Sequence, residues 1–117
     1  MTKGTADAGV VGRRRPDTLI GDLPDDIQAG DYWKVTDRNG DPLCVDHSTN
    51  LTGHIWMVAA PMPSGSFGIG RLEHHTVREH EDGTITVAAG DGSSNSILIR
   101  GAGGQEYHGW ISQGVWS

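Results

Sequence analysis

With 117 residues, 18 glycines, five prolines, four tryptophans and a net charge of −6, the chain has room for one domain around one modest core. That length excludes a two-lobed enzyme with an interdomain cleft, and 35% hydrophobic residues exclude a wholly disordered chain. The lone Cys44 excludes an internal disulfide.

Charge divides the chain in two. Residues 1–16 carry Lys3, Arg13, Arg14 and Arg15 against Asp7, whereas residues 17–117 carry five basic side chains against 14 acidic ones. The first stretch has no periodicity and few large apolar groups, which predicts a flexible, disordered basic arm over 1–15 ahead of a single domain over 16–117. An acidic body repels a phosphate backbone, so nucleic acid is expected to touch the protein only through Arg13, Arg14 and Arg15. The same triplet also reads as a solubilising tail.

Pro16 to Gly30 is a transition segment, with Leu19, Ile20, Leu23 and Ile27 able to cap a core and at most one helical turn near Pro24. From Asp31 the pattern turns to β. Tyr32 to Thr36 is aromatic and β-branched, Asn39-Gly40 centres a turn, and Pro42 to Val45 reads as the returning strand. Gly53 to Val58 predicts a third strand, broken by Pro61-Met62-Pro63. The strongest local signal runs from His74 to Val87. A three-residue loop, Glu81-Asp82-Gly83, pairs His80 with Thr84, Arg78 with Thr86 and Val77 with Val87. That register gathers Val77, Ile85 and Val87 on one face and His74, Thr76, Arg78, His80, Thr84 and Thr86 on the other. A two-residue loop would mix the faces, because a slip of one residue moves every side chain across the sheet. Further strands are expected at Ser96 to Arg100, Tyr107 to Ile111 and Val115-Trp116. Strands recurring at this spacing predict an all-β fold, a small antiparallel sandwich or partly open barrel.

Among groups that carry chemistry, the polar face of the central hairpin is the sharpest candidate. His74, Thr76, Arg78 and His80 would project from one side of a strand about 6.6 Å apart at each alternate step. Two imidazoles and a guanidinium in a row suit an anion or an acidic protein partner, although a solvated outer face has the same pattern. A metal is the second candidate. Cys44, His47 and His54, completed by another histidine, form a donor set that zinc accepts, though six histidines in a turn-rich chain also give such spacings by chance. No zinc-protease spacing and no Gly-x-Ser-x-Gly elbow occurs, and Gly65 to Gly70 follows no βα unit that would make it a phosphate cradle. A scarcity of phenylalanine assigns Trp33, Trp56 and Trp110 to the core; Trp116, next to the last residue, is the expected exception that meets a partner.

Several stretches together resemble small uncharacterised proteins of actinobacteria and their phages. They are Gly30 to Val35, Asn50 to Gly53, Val58 to Met62, His74 to Ile85 (HHTVREHEDGTI), Asp91 to Ile97 and Gly114 to Trp116. The resemblance covers roughly residues 22–116 and implies a phage or prophage setting without an established activity. Its members carry additional cysteines near positions 44–56, where this chain has one, so His47 or His54 would have to substitute in any shared metal site.

The expectation is therefore a cytoplasmic, non-enzymatic phage-type accessory protein. It needs no cofactor and binds a host or virion protein through His74, Thr76, Arg78, His80 and Trp116. No apolar run reaches the ~20 residues of a membrane span. The competing expectation is a small zinc-stabilised domain, open to hydrolytic chemistry, held by Cys44, His47 and His54.

Overall fold

The computed structural model describes residues 9–44, 54–72, 75–88 and 97–116. They form three sheets made almost wholly of strands, arranged as an open sandwich-like fold rather than a closed barrel. The first sheet has the order β1 (Thr18–Leu19), β2 (Tyr32–Thr36), β3 (Trp56–Pro61) and β4 (Phe67–Arg71). Its pairs are antiparallel except β1 with β2, which run parallel. The second sheet uses β5 (Thr76–Glu79), β6 (Ile85–Ala88), β9 (Ile111–Ser112) and β10 (Val115–Trp116), in the order β10-β9-β6-β5. Between them in sequence, β7 (Ile97–Arg100) and β8 (Glu106–Gly109) form a separate antiparallel ribbon. Among the described residues no helix is long and apolar enough to cross a membrane.

Alternation along β2 explains why the first sheet is buried on both sides. Tyr32 faces the main core, which gathers Trp56 and Val58 of β3, Val77, Ile85, Val87, Ile111 and Trp116 of the second sheet, and Ile97, Ile99 and Tyr107 of the ribbon. Its neighbours Trp33 and Val35 face the opposite way into a smaller core with Ile55 and Ala59, roofed by Ile27, Leu43, Met57 and Phe67. Burying one such side chain is worth about 1.5–3 kcal/mol, so the inner cluster dominates stability.

The expected hairpin is present in the expected register: Val77 faces Val87, Arg78 faces Thr86 and Glu79 faces Ile85. The His80 amide donates to the Thr84 carbonyl at 2.8 Å, and Gly83 takes a φ of +88°, a region in which a Cβ is strained. Pro42 to Val45 differs from expectation. Only isolated bridges form there, Thr36 with Pro42 and Cys44 with His54, and Val45 lies outside the described residues. Phe67–Arg71, a stretch in which glycine obscures the strand pattern, is a full strand paired along its length with β3.

The basic segment also departs from expectation. Residues 1–8 lie outside the described residues, but Val10 to Ile20 is a strap bound to the edges of both large sheets. Its first part joins the second sheet: the Trp116 amide donates to the Val10 carbonyl at 2.8 Å and the Gly12 amide to that of Gly114 at 2.7 Å. Its middle joins the first sheet, where the Tyr32 amide donates to Arg13 and the Arg15 amide to Tyr32. Thr18–Leu19 then continues as β1 beside β2. A Cβ at position 12 would collide with the Gly30 carbonyl oxygen, so only glycine lets the strap pass this close.

Candidate recognition face

The second sheet turns one side to the core and the other outward. Because Val87 stands opposite Ile111, antiparallel register puts Thr86 opposite Ser112 and Ala88 opposite Trp110. Adding the flanking pairs gives a row across the sheet: Val11, Val115, Ser112, Thr86 and Arg78. Val11, Ser112 and Arg78 are exposed, as an outward face requires. Burial alternates from Tyr107 to Ser112, with His108, Trp110 and Ser112 outside and Tyr107 and Ile111 inside. Trp110 is 48% exposed, a large ring left in water beside this row.

Hydrogen bonds make the centre of the face rigid. His80 Nε2 and Thr86 Oγ1 lie 2.6 Å apart, and the Gln113 amide donates to the same hydroxyl at 3.0 Å. Asp82 Oδ1 accepts from the Thr84 hydroxyl at 2.7 Å and its amide at 2.9 Å. Those two bonds hold the Asp82 carboxyl below its usual range. His80 is thus half-buried and partnered, while Arg78 extends into solvent. Thr76 occupies its expected place on β5. His74 lies outside the described residues.

Behind the face, Glu79 points inward and ties the hairpin to the rest. Its carboxylate accepts from Arg14 Nη1 at 3.0 Å and pairs with Lys34 Nζ at 3.1 Å. Burial alone would push the Glu79 carboxyl up, but the two cationic hydrogen bonds outweigh it and hold the group below its usual range. Arg14 also donates to the Gly83 carbonyl at 2.8 Å, and its guanidinium sits 4.8 Å from the Trp56 ring centroid, with Lys34 Nζ at 5.6 Å.

The other two arginines close on one carboxylate. Asp31, fully buried, accepts from Arg13 Nε and Nη2, from Arg15 Nη1 and from the Gln28 amide, each at 2.9 Å. Burial would raise the Asp31 carboxyl; these donors overcome it and lower it. All three guanidinium groups of the basic triplet are therefore engaged by the protein itself.

Trp116 is a correction. Its ring is fully buried, packs edge-on to Tyr107 with centroids 4.9 Å apart, and donates Nε1–H to the Gly30 carbonyl at 2.8 Å. It closes the core and offers no surface. Trp110, assigned to the core by the scarcity of large apolar residues, is the exposed ring. The signal that distinguishes them was the alternation of Tyr107, Gly109 and Ile111, which leaves position 110 on the outer side.

Of the expected metal ligands, Cys44 and His54 stand opposite each other on an isolated antiparallel bridge. Cys44 is exposed and His54 half-buried, and His47 lies outside the described residues. Among the described residues no group of three His, Cys, Asp or Glu side chains converges. Burial lowers the His54 pKa below its ordinary 6.5, helped by the charge of Lys34 and opposed by Glu79.

No family model matches the chain, and no curated protein or solved structure matches it either.

Proposed function

We propose that this chain is a non-enzymatic accessory protein of phage type, working in the cytoplasm, that binds a host or virion protein through the outward face of β5, β6 and β9. One observation carries the reading: an exposed tryptophan, Trp110, beside a row that runs through Ser112 and the hydrogen-bonded Thr86 to the exposed Arg78. Tryptophan and arginine are the side chains that most often supply binding energy at protein interfaces. His80 frames Arg78 by holding Thr86, and Thr76 sits one step further along the same strand. Engagement of Arg13, Arg14 and Arg15 within the fold favours a protein partner over nucleic acid, since duplex binding needs exposed cations.

The test is co-purification from the producing cell with wild-type bait and with Arg78→Glu/Trp110→Ala bait, both checked for an unchanged circular dichroism melt. Loss of about 2 kcal/mol in affinity, roughly thirtyfold, for one reproducible protein partner is the expected result. Equal recovery of every partner by the two baits contradicts it.

The bridge between Cys44 and His54 favours a second reading, a zinc-stabilised domain with hydrolytic chemistry open to it. Directly opposed residues of an antiparallel pair place their Cβ atoms about 5 Å apart, within reach of a shared ion. Elemental analysis of untagged protein decides it. Zinc near one equivalent that Cys44→Ser abolishes supports that reading; substoichiometric zinc defeats it.

A further inference from the structure

We propose that the groove beside Leu23 is a second docking surface, fitted to an amphipathic segment of another protein whose apolar side chains are flanked by lysine or arginine. The loop after β1 stands off the first sheet and encloses a groove of about 320 Å³ between Ile20 and Leu23 on one side and Val35, Met57, Ile69 and Arg71 on the other. On the far side of Leu23 a second hollow, about 360 Å³, runs back along β1 to Pro16. The two hollows share Asp22 and Leu23 as walls and so adjoin, forming a track.

Seven large apolar side chains are exposed among the described residues, and four of them border this track: Leu19, Ile20, Leu23 and Ile69. Leu23 is 52% exposed and Ile20 45%. Such clustering of apolar surface on a small domain marks an interaction site, whereas scattered exposed leucines do not. The smaller core lies under the same sheet face, so a bound side chain would extend packing that Val35 and Met57 already provide.

Charge selects the partner. Asp17, Asp22 and Asp25 line the second hollow. The carboxylates of Asp22 and Asp25 have no partner among the described residues, and Asp17 has only Arg14 at 3.7 Å. Arg15, the cation at that wall, is held by Asp31 at 2.9 Å and by the Asp25 carbonyl at 2.7 Å. Arg71, the cation at the groove itself, also has a partner of its own. Three carboxylates against two engaged guanidinium groups leave the rim net acidic, which attracts a cationic amphipathic segment and repels an anionic one. A second copy of this chain is a poor occupant, because residues 17–117 carry 14 acidic side chains against five basic ones.

The experiment titrates the full-length ¹⁵N-labelled chain with two synthetic helical peptides of about four turns, one leucine–lysine and one leucine–glutamate, sharing the same apolar pattern. The expected result is that the leucine–lysine peptide alone shifts the amides of Ile20 to Leu23, Met57 and Ile69. Its affinity should fall about tenfold in Asp22→Lys/Asp25→Lys, which leaves the apolar floor untouched, and in Leu23→Ser. Arg78→Glu should leave binding unchanged, which separates this surface from the proposed recognition face. The inference is overturned if the leucine–lysine peptide leaves those amides unshifted, if the leucine–glutamate peptide binds as tightly, or if the shifts centre on Arg78 and Trp110.

Discussion

The hairpin from Thr76 to Ala88 and the strap from Val10 to Ile20 are both extended chain at the margin of a sheet, yet they are held in opposite ways. Within the hairpin, each residue of β5 finds its β6 partner no more than a dozen residues away, and the register follows from one turn and one apolar face. The strap's partners are remote: Gly12 bonds Gly114, Arg15 bonds Tyr32, and Ile20 bonds Thr36. Its side chains contribute ion pairs more than apolar area, with Arg13 and Arg15 on Asp31 and Arg14 on Glu79. A local pattern can specify the first kind of element. The second exists only once the rest of the molecule has folded around its anchors.

That contrast can be broken at either end. The largest effect is expected from Trp116→Ala, which removes a buried ring from the main core and the donor to Gly30; about 3–5 kcal/mol should be lost in chemical denaturation. Asp31→Ala removes the carboxylate that four donors share and should cost about 3 kcal/mol. It should loosen the strap before the hairpin, so hydrogen exchange at Arg15 should accelerate more than at His80.

Acid sharpens the same difference. Asp31 and Glu79 have lowered carboxyl pKa values in the fold, so the native state binds fewer protons than the unfolded chain. Their contribution is complete above the ordinary carboxylate range and is lost as pH falls through it towards the lowered values. His54, lowered from 6.5, adds stability that is complete above that pH and declines as pH falls through its folded value. The melting temperature should therefore fall on acidification below about pH 6.5, and Asp31→Asn should flatten the part below pH 4. A smaller effect, about 1–2 kcal/mol, is expected from Gly83→Ala, which places a side chain at a φ of +88° and strains the hairpin alone.

These anchors explain what could and could not be read from residues alone. The hairpin register, the all-β class and the burial of Trp33 and Trp56 were legible because short-range alternation and turn chemistry express them. The strap was not, since Arg13-Arg14-Arg15 reads as a solvated tail until Asp31 and Glu79 are known to face it. Proximity to the chain end misled for Trp116, because the segment carrying it returns to the core and meets Tyr107 and Gly30. Trp110 escaped because aromatic scarcity was weighed above the alternation around it. The groove beside Leu23 depends on how a loop stands over a sheet, a relation between segments far apart in sequence.

Whether recognition belongs to the sheet face or to a basic arm turns on the state of residues 10–20. Amide hydrogen exchange on the intact protein reads it directly. Protection at Gly12, Arg15 and Ile20 comparable to that of His80 and Ala59 is what the fold predicts. Exchange of those three at the rate of an unstructured peptide would mean that the arginines are free for an acidic ligand, and would contradict the account.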